Sequence, residues 1–236
     1  MYSREHGEKT YTFEPSGGLL YATLVMQDRE TDSYWSILTD EAVHGAQKGT
    51  KLRQLPGSRK MTFGQWKALH PETKVLSVDG KEHVESSPYD KYFASDKGFR
   101  DLSATDRRLP DKTQIFGFHL SDKAYAVPHH VFADGGAEIE AEGKRLFLYR
   151  LADDSHYQGT VALLLGKDFH LKKEDGSWVL GTPAGRTITF KKDRRSFGAP
   201  VSVTRPVVGF DTFWYQWSLT NPGTVIIDPS AEPASE

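Results

Sequence analysis

Apolar residues in this chain come in short runs, rich in β-branched and aromatic side chains and cut apart by glycine or proline. Such spacing restricts the fold to many brief strands joined by frequent turns. The 21 Gly and 12 Pro are scattered rather than clustered, and 13 Phe, 10 Tyr and 5 Trp supply bulky core candidates. The predicted class is mainly β with a few short helices. Predicted strands cover residues 10–13, 19–26, 34–38, 74–78, 114–120, 123–127, 145–151, 160–165, 186–190, 201–208 and 224–227.

Two segments read as helices. Thr62 and Gln65 form a capping-box pair and Pro71 blocks extension, while Asp211 reads as the N-cap of a helix over 212–220 that Pro222 stops. The two segments echo each other. Aligning Trp66 with Trp217 pairs Phe63 with Trp214, Leu69 with Thr220, Pro71 with Pro222, Thr73 with Thr224 and Val75 with Ile226. Upstream, Asp32 to Trp35 matches Asp175 to Trp178. We read two degenerate strand-loop-helix-strand repeats packed as one domain, each Trp anchoring its helix on a sheet. Residues 1–110 hold the first half plus a polar connector over 79–110, residues 111–227 the second half, and residues 228–236 a disordered acidic tail.

Composition removes several chemistries. With no Cys among 236 residues, disulfides, thiolate metal sites and cysteine nucleophiles are excluded. A net charge of −2 disfavours a surface built for nucleic acid, so no nucleic-acid partner is expected. The charge-free stretch 212–227 is too short to span a bilayer as a helix and holds Pro222 and Gly223, so no transmembrane segment is predicted. Arg4, Glu5, Glu8 and Lys9 leave no room for a signal h-region at the start.

Several motifs resemble an uncharacterised prokaryotic family known as domain of unknown function 3179. They are Gly18-Leu19-Leu20-Tyr21, the run from Leu24 through Asp28, Thr31 and Trp35 to Ser36, Glu41-Ala42 with Gly45, Gly49 and Leu52, and Trp66 with His70-Pro71 and Thr73. Val75-Leu76-Ser77, Pro88-Tyr89, Asp106 with Arg108, Leu109 and Lys112, Gly117, and Lys123 to Pro128 continue the series. The resemblance is strongest over residues 2–128 and loose thereafter. It implies a mostly β fold and transfers no catalytic residue. Members of that family carry an upstream Cys-Pro-type stretch, often with an export signal. The expectation is therefore a shortened chain, cytoplasmic as written and exported if an upstream signal has been lost.

Candidate chemistry is sparse. His119, His129 and His130 lie close in sequence and are the metal-ligand candidates, although neighbouring residues of an extended segment face opposite ways. Asp154 and His156, beside Asp153, offer a carboxylate–imidazole pair for acid–base catalysis without a Gly-x-Ser-x-Gly elbow. Residues 28–33 lack the Gly and Glu of a calcium loop and read as a polar hairpin turn, with Arg29 forked between two carboxylates at a cleft. Phe210, Phe213, Trp214 and Trp217 share a helical face that Tyr215 does not. Core packing explains that face; a groove that stacks a sugar or a peptide aromatic is the alternative. The ligand-binding candidates are Arg29, Trp35, Trp214 and Tyr215. The expected function is a β-rich binding or scaffold module with a pocket between the halves, its partner an unknown small molecule or protein and its cofactor unknown. The alternative is a metal-assisted or acid–base hydrolase using the histidines.

Overall fold

The run Lys144–Tyr149 shows how the chain is layered. Leu146 and Leu148 join one core cluster and Phe147 and Tyr149 another, and all four are buried. Alternate residues of a strand point to opposite faces, so a strand apolar on both sides belongs to a sheet covered on both sides. The computed structural model, which describes residues 1–55, 60–77, 89–150, 159–190 and 205–230, shows that arrangement.

In chain order the strands are β1 (Glu5–His6), β2 (Lys9–Thr10), β3 (Phe13–Leu20), β4 (Thr23–Asp28), β5 (Tyr34–Ser36), β6 (Ala42–His44), β7 (Gln114–Leu120), β8 (Lys123–Pro128), β9 (Gly136–Ala141) and β10 (Lys144–Tyr149). They continue as β11 (Val161–Leu165), β12 (His170–Glu174), β13 (Ser177–Gly181), β14 (Thr187–Phe190), β15 (Arg205–Val207), β16 (Gly209–Phe213) and β17 (Val225–Ile226), with helices α1 (Phe63–Leu69), α2 (Asp90–Ala94) and α3 (Trp214–Thr220). The middle sheet runs β15-β11-β10-β9. One face packs Leu146, Leu148 and Ile139 on Phe116, Phe118 and Val127 of the sheet β16-β7-β8-β17. The other packs Phe147, Tyr149 and Leu163 on Leu180 and Phe190 of the sheet β12-β13-β14. On the far side of β7 and β8, Ile115 and Ala126 meet Trp214, Tyr215 and Trp217 of α3. Each fully buried aromatic contributes about 2–3 kcal/mol of apolar burial. Among the described residues, no helix is long and apolar enough to cross a membrane.

A fourth sheet, β3-β4-β5-β6, has its own core of Trp35, Ala42 and Leu52. The polar turn expected over 28–33 joins β4 to β5. Asp28, wholly buried, closes it by accepting hydrogen bonds from the Thr31 amide and hydroxyl and from Trp35 Nε1 at 2.7 Å. Gly45 (φ +92) passes so close that a Cβ there would lie 2.6 Å from Ser33 Oγ.

Helix α1 carries both hydrogen bonds of the predicted Thr62–Gln65 capping box. Other expectations need correction. The strand over 19–26 is two strands, because Tyr21 (φ 49) and Ala22 (φ 60) take left-handed conformations and turn the chain back on itself. Residues 74–77 form no strand. Asp211 does not cap α3, which starts after Phe213 with no side-chain cap; Asp211 belongs to β16, opposite Phe116. Tyr215 is as buried as Trp214 and Trp217, since loop residues also cover α3 on its outer side. The connector expected to be polar carries core residues over its described part, where Tyr92, Phe93, Leu102 and Ala104 pack against α3.

Helices α1 and α3 are alike in length and exit. Their C-cap residues, His70 (φ −129, ψ 73) and Asn221 (φ −125, ψ 71), each donate a backbone hydrogen bond of 2.8 Å to the Trp four residues earlier. The surroundings of the two indoles differ. Trp66 is 41% exposed, against His70 and bonded to Thr73 Oγ1, whereas Trp217 is wholly buried against Gly117 and His119.

Candidate functional site

Strand β16 leaves the edge of its sheet carrying a carboxylate into the interior. Asp211, with 9% of its side chain exposed, accepts from His129 Nε2 at 3.0 Å, from the Thr160 hydroxyl at 2.5 Å and from the Thr160 amide at 2.8 Å. His129 follows the last residue of β8 and opens a 3-10 turn, His129–Phe132. Its Nδ1 lies 2.9 Å from Arg150 Nη1. A guanidinium only donates, so Nδ1 accepts and the imidazole proton sits on Nε2, facing Asp211.

Burial pulls His129 below its ordinary pKa, against the opposing pull of Asp211. Burial alone would raise Asp211, but the hydrogen bonds and charge of His129 and the two bonds from Thr160 hold it below the usual carboxylate value. Lys60 stands in the same electrostatic group. Burial lowers its pKa, Asp211 pushes it back up, and Arg150 lowers it further.

Asp211 and Lys60 are among the polar residues that line a cavity of about 620 Å³. Leu19, Ala22 and Leu24 of the β3–β4 hairpin line it together with Tyr92, Phe93, Phe99, Phe213 and Tyr215. Hydrogen bonds tie the aromatic lining residues to one another. Tyr92 and Tyr215 join hydroxyls at 2.8 Å, and Tyr215 Oη accepts from the Phe99 amide. Burial and that Tyr215 contact raise the pKa of Tyr92, keeping it a neutral phenol. Lys112 Nζ sits 3.6 Å from the Tyr92 ring centroid and 4.3 Å from that of Phe213, and donates to the Tyr92 carbonyl at 2.7 Å. Gln216, oriented by the Thr212 hydroxyl, donates to the Ala22 carbonyl at 3.0 Å and so ties the hairpin tip to α3.

Of the ligand-binding candidates read from sequence, Tyr215 lines this cavity. Trp214 is wholly buried beside it, its Nε1 donating to the Asp106 carbonyl. Trp35 is a core residue of the N-terminal sheet, edge-on to Phe13. Arg29 is exposed and pairs across the strands with Glu14 at 2.6 Å, not with its sequence neighbours, because Asp28 faces Trp35 and Glu30 accepts from the Thr12 amide. The three histidines take three partners: His119 bonds Asn221, His129 bonds Asp211 and His130 bonds Asp228. Among the described residues, no three His, Cys, Asp or Glu are grouped to hold a metal ion. Asp153, Asp154 and His156 lie outside the described residues.

The sequence offers Asp211 as a helix cap rather than a site residue, and does not mark Lys60. For Asp211 a signal existed: Phe210, Thr212 and Phe213 favour a strand as much as a cap. Lys60 carries no such mark.

A family model described as protein of unknown function (DUF3179) matches residues 1–224. The chain belongs to the DUF3179 family. The DUF3179 match runs well past Pro128, where the resemblance read from sequence becomes loose, and therefore takes in His129, Asp211 and Tyr215. No curated protein and no solved structure matches the chain.

Proposed function

We propose that this DUF3179 chain is a binding module that holds a small molecule with an apolar, ring-bearing body in the cavity between the β3–β4 hairpin and the β16–α3 segment. Its volume of about 620 Å³ falls within the range of small-molecule sites, and its apolar walls with a few convergent polar groups have the composition of such sites. The observation that carries the reading is the saturation of the charged cluster. Both nitrogens of His129 and both carboxylate oxygens of Asp211 already have partners within the protein. A general base needs a free lone pair within hydrogen-bond reach of a substrate proton, and this imidazole has none to offer. The cluster therefore fixes Asp211 in the cavity lining rather than moving protons there.

Titration of the ¹⁵N-labelled chain with 2-naphthol tests the proposal. The expected result is saturable shifts at Leu19, Leu24, Phe99 and Gln216, with a dissociation constant of about 100 μM or tighter. Leu24→Trp, which fills the space from a half-exposed position, is expected to abolish them. Hydrolysis of p-nitrophenyl esters that disappears in His129→Gln would overturn the binding reading in favour of a hydrolase.

A further inference from the structure

We propose that Asp40 is a proton-operated clasp, which as a neutral carboxylic acid holds residues 1–3 to the turn at 37–40 and on losing its proton lets them go.

Three stretches of the N-terminal region meet at this carboxyl. Residues 1–3 pair with 53–55, the Ser3 amide donating to the Arg53 carbonyl and the Leu55 amide to the Met1 carbonyl, each at 2.8 Å, with Tyr2 opposite Gln54. The Tyr2 ring packs on the core of Trp35, Ala42 and Leu52. Its hydroxyl reaches the turn and meets two oxygens there, the Ile37 carbonyl and Asp40 Oδ1 at 2.6 Å. Gln54 Nε2 donates to the other carboxyl oxygen, Oδ2.

A count of protons decides the ionisation of Asp40. A phenol carries one hydrogen, and a carbonyl oxygen only accepts. Beside an ionised carboxylate that one hydrogen would have two acceptors to serve, and one of the two close oxygen pairs would face lone pair to lone pair. A proton on Oδ1 completes the chain: Asp40 donates to Tyr2, Tyr2 donates to the Ile37 carbonyl, and the Gln54 amide occupies Oδ2. The surroundings agree. Burial raises the Asp40 pKa and outweighs the opposing pulls of Tyr2 and Gln54 as donors and of His119 and Lys51 as charges. Burial and the Asp40 charge also raise the Tyr2 phenol, so it does not give up its proton instead. A carboxyl whose folded pKa lies above its ordinary 3.8 contributes stability that is complete below 3.8 and is lost as pH rises through the folded value. The clasp therefore opens toward higher pH.

Carbon-13 NMR of the carboxyl carbons of the full chain, read beside amide hydrogen exchange, tests this. Asp40 Cγ is expected to titrate above 3.8. Protection of the Ser3 and Leu55 amides, relative to the intrinsic exchange rate at each pH, should fall through the same midpoint by at most about tenfold per pH unit, the limit for one proton, while amides of β10 keep theirs. Asp40→Asn should hold that protection across the midpoint, since its Nδ2 donates to Tyr2 as the acid does and asparagine tolerates the left-handed backbone here (φ 63). If the variant does not fold, the unaltered chain still decides. Titration of Asp40 at or below 3.8, or protection at Ser3 and Leu55 that ignores its midpoint, would overturn the proposal, as would an equal loss of protection in Asp40→Asn.

Discussion

At the scale of single residues, His129 and Asp211 make the fold sensitive to acid. His129 lies below its ordinary pKa of 6.5 when folded, so the unfolded chain binds that proton more tightly. The stability held in neutral His129 is complete above that value and is lost as pH falls from it toward the folded pKa. Asp211 acts in the same direction at lower pH: its contribution is complete above 3.8 and is lost as pH falls through its depressed folded value. Stability, followed as melting temperature, is therefore expected to fall as pH drops below about 6.5, by at most about 1.4 kcal/mol per pH unit for this one group. His129→Gln should flatten the slope in that interval, and an equal slope in the variant would show that His129 is not the group responsible. The pair was not legible in the sequence, because Asp211 and its partners are 82 and 51 positions apart. Asp28 was legible as a turn residue because its partners Thr31 and Trp35 follow at once.

At the scale of elements, two glycines are expected to respond oppositely to the same change. A Cβ on Gly117 of β7 would lie 2.5 Å from the Trp217 indole, so Gly117→Ala should push α3 off the sheet and cost about 2–3 kcal/mol. Gly64, inside α1, has open space and helical backbone, so Gly64→Ala should stabilise by about 0.5–1 kcal/mol. Urea melts of the two variants check both signs; a neutral Gly117→Ala would mean that the helix is not seated as described. Legibility follows the same division between near and far. The capping box of α1 depends on residues three apart and could be read directly. The turn at Tyr21 and Ala22 could not, since neither residue favours the left-handed region; the pairing of β3 with β4 holds them there.

At the scale of the molecule, the β3–β4 hairpin lines part of the cavity and Gln216 fastens its tip. Gln216→Ala should cost about 1 kcal/mol and accelerate amide hydrogen exchange over residues 19–24 without changing exchange in β10. Unchanged exchange at the hairpin would show that its own ladder, and not the bond to α3, holds it down. The β class and the frequency of turns could be read from the chain, as both follow from the spacing and branching of neighbouring side chains.

What the sequence by itself determined is local: short strands, the closed turn at Asp28, the start of α1, and the exclusion of every cysteine chemistry. Only the tertiary structure decided that Leu19, Lys60, Tyr92 and Asp211 surround one space, because they come from four distant segments that meet through sheet packing and loop placement. The same holds for the role of Asp211. A carboxylate before a helical pattern caps the helix or enters the core according to the strand it pairs with, and here the pairing of β16 with β7 turned it inward.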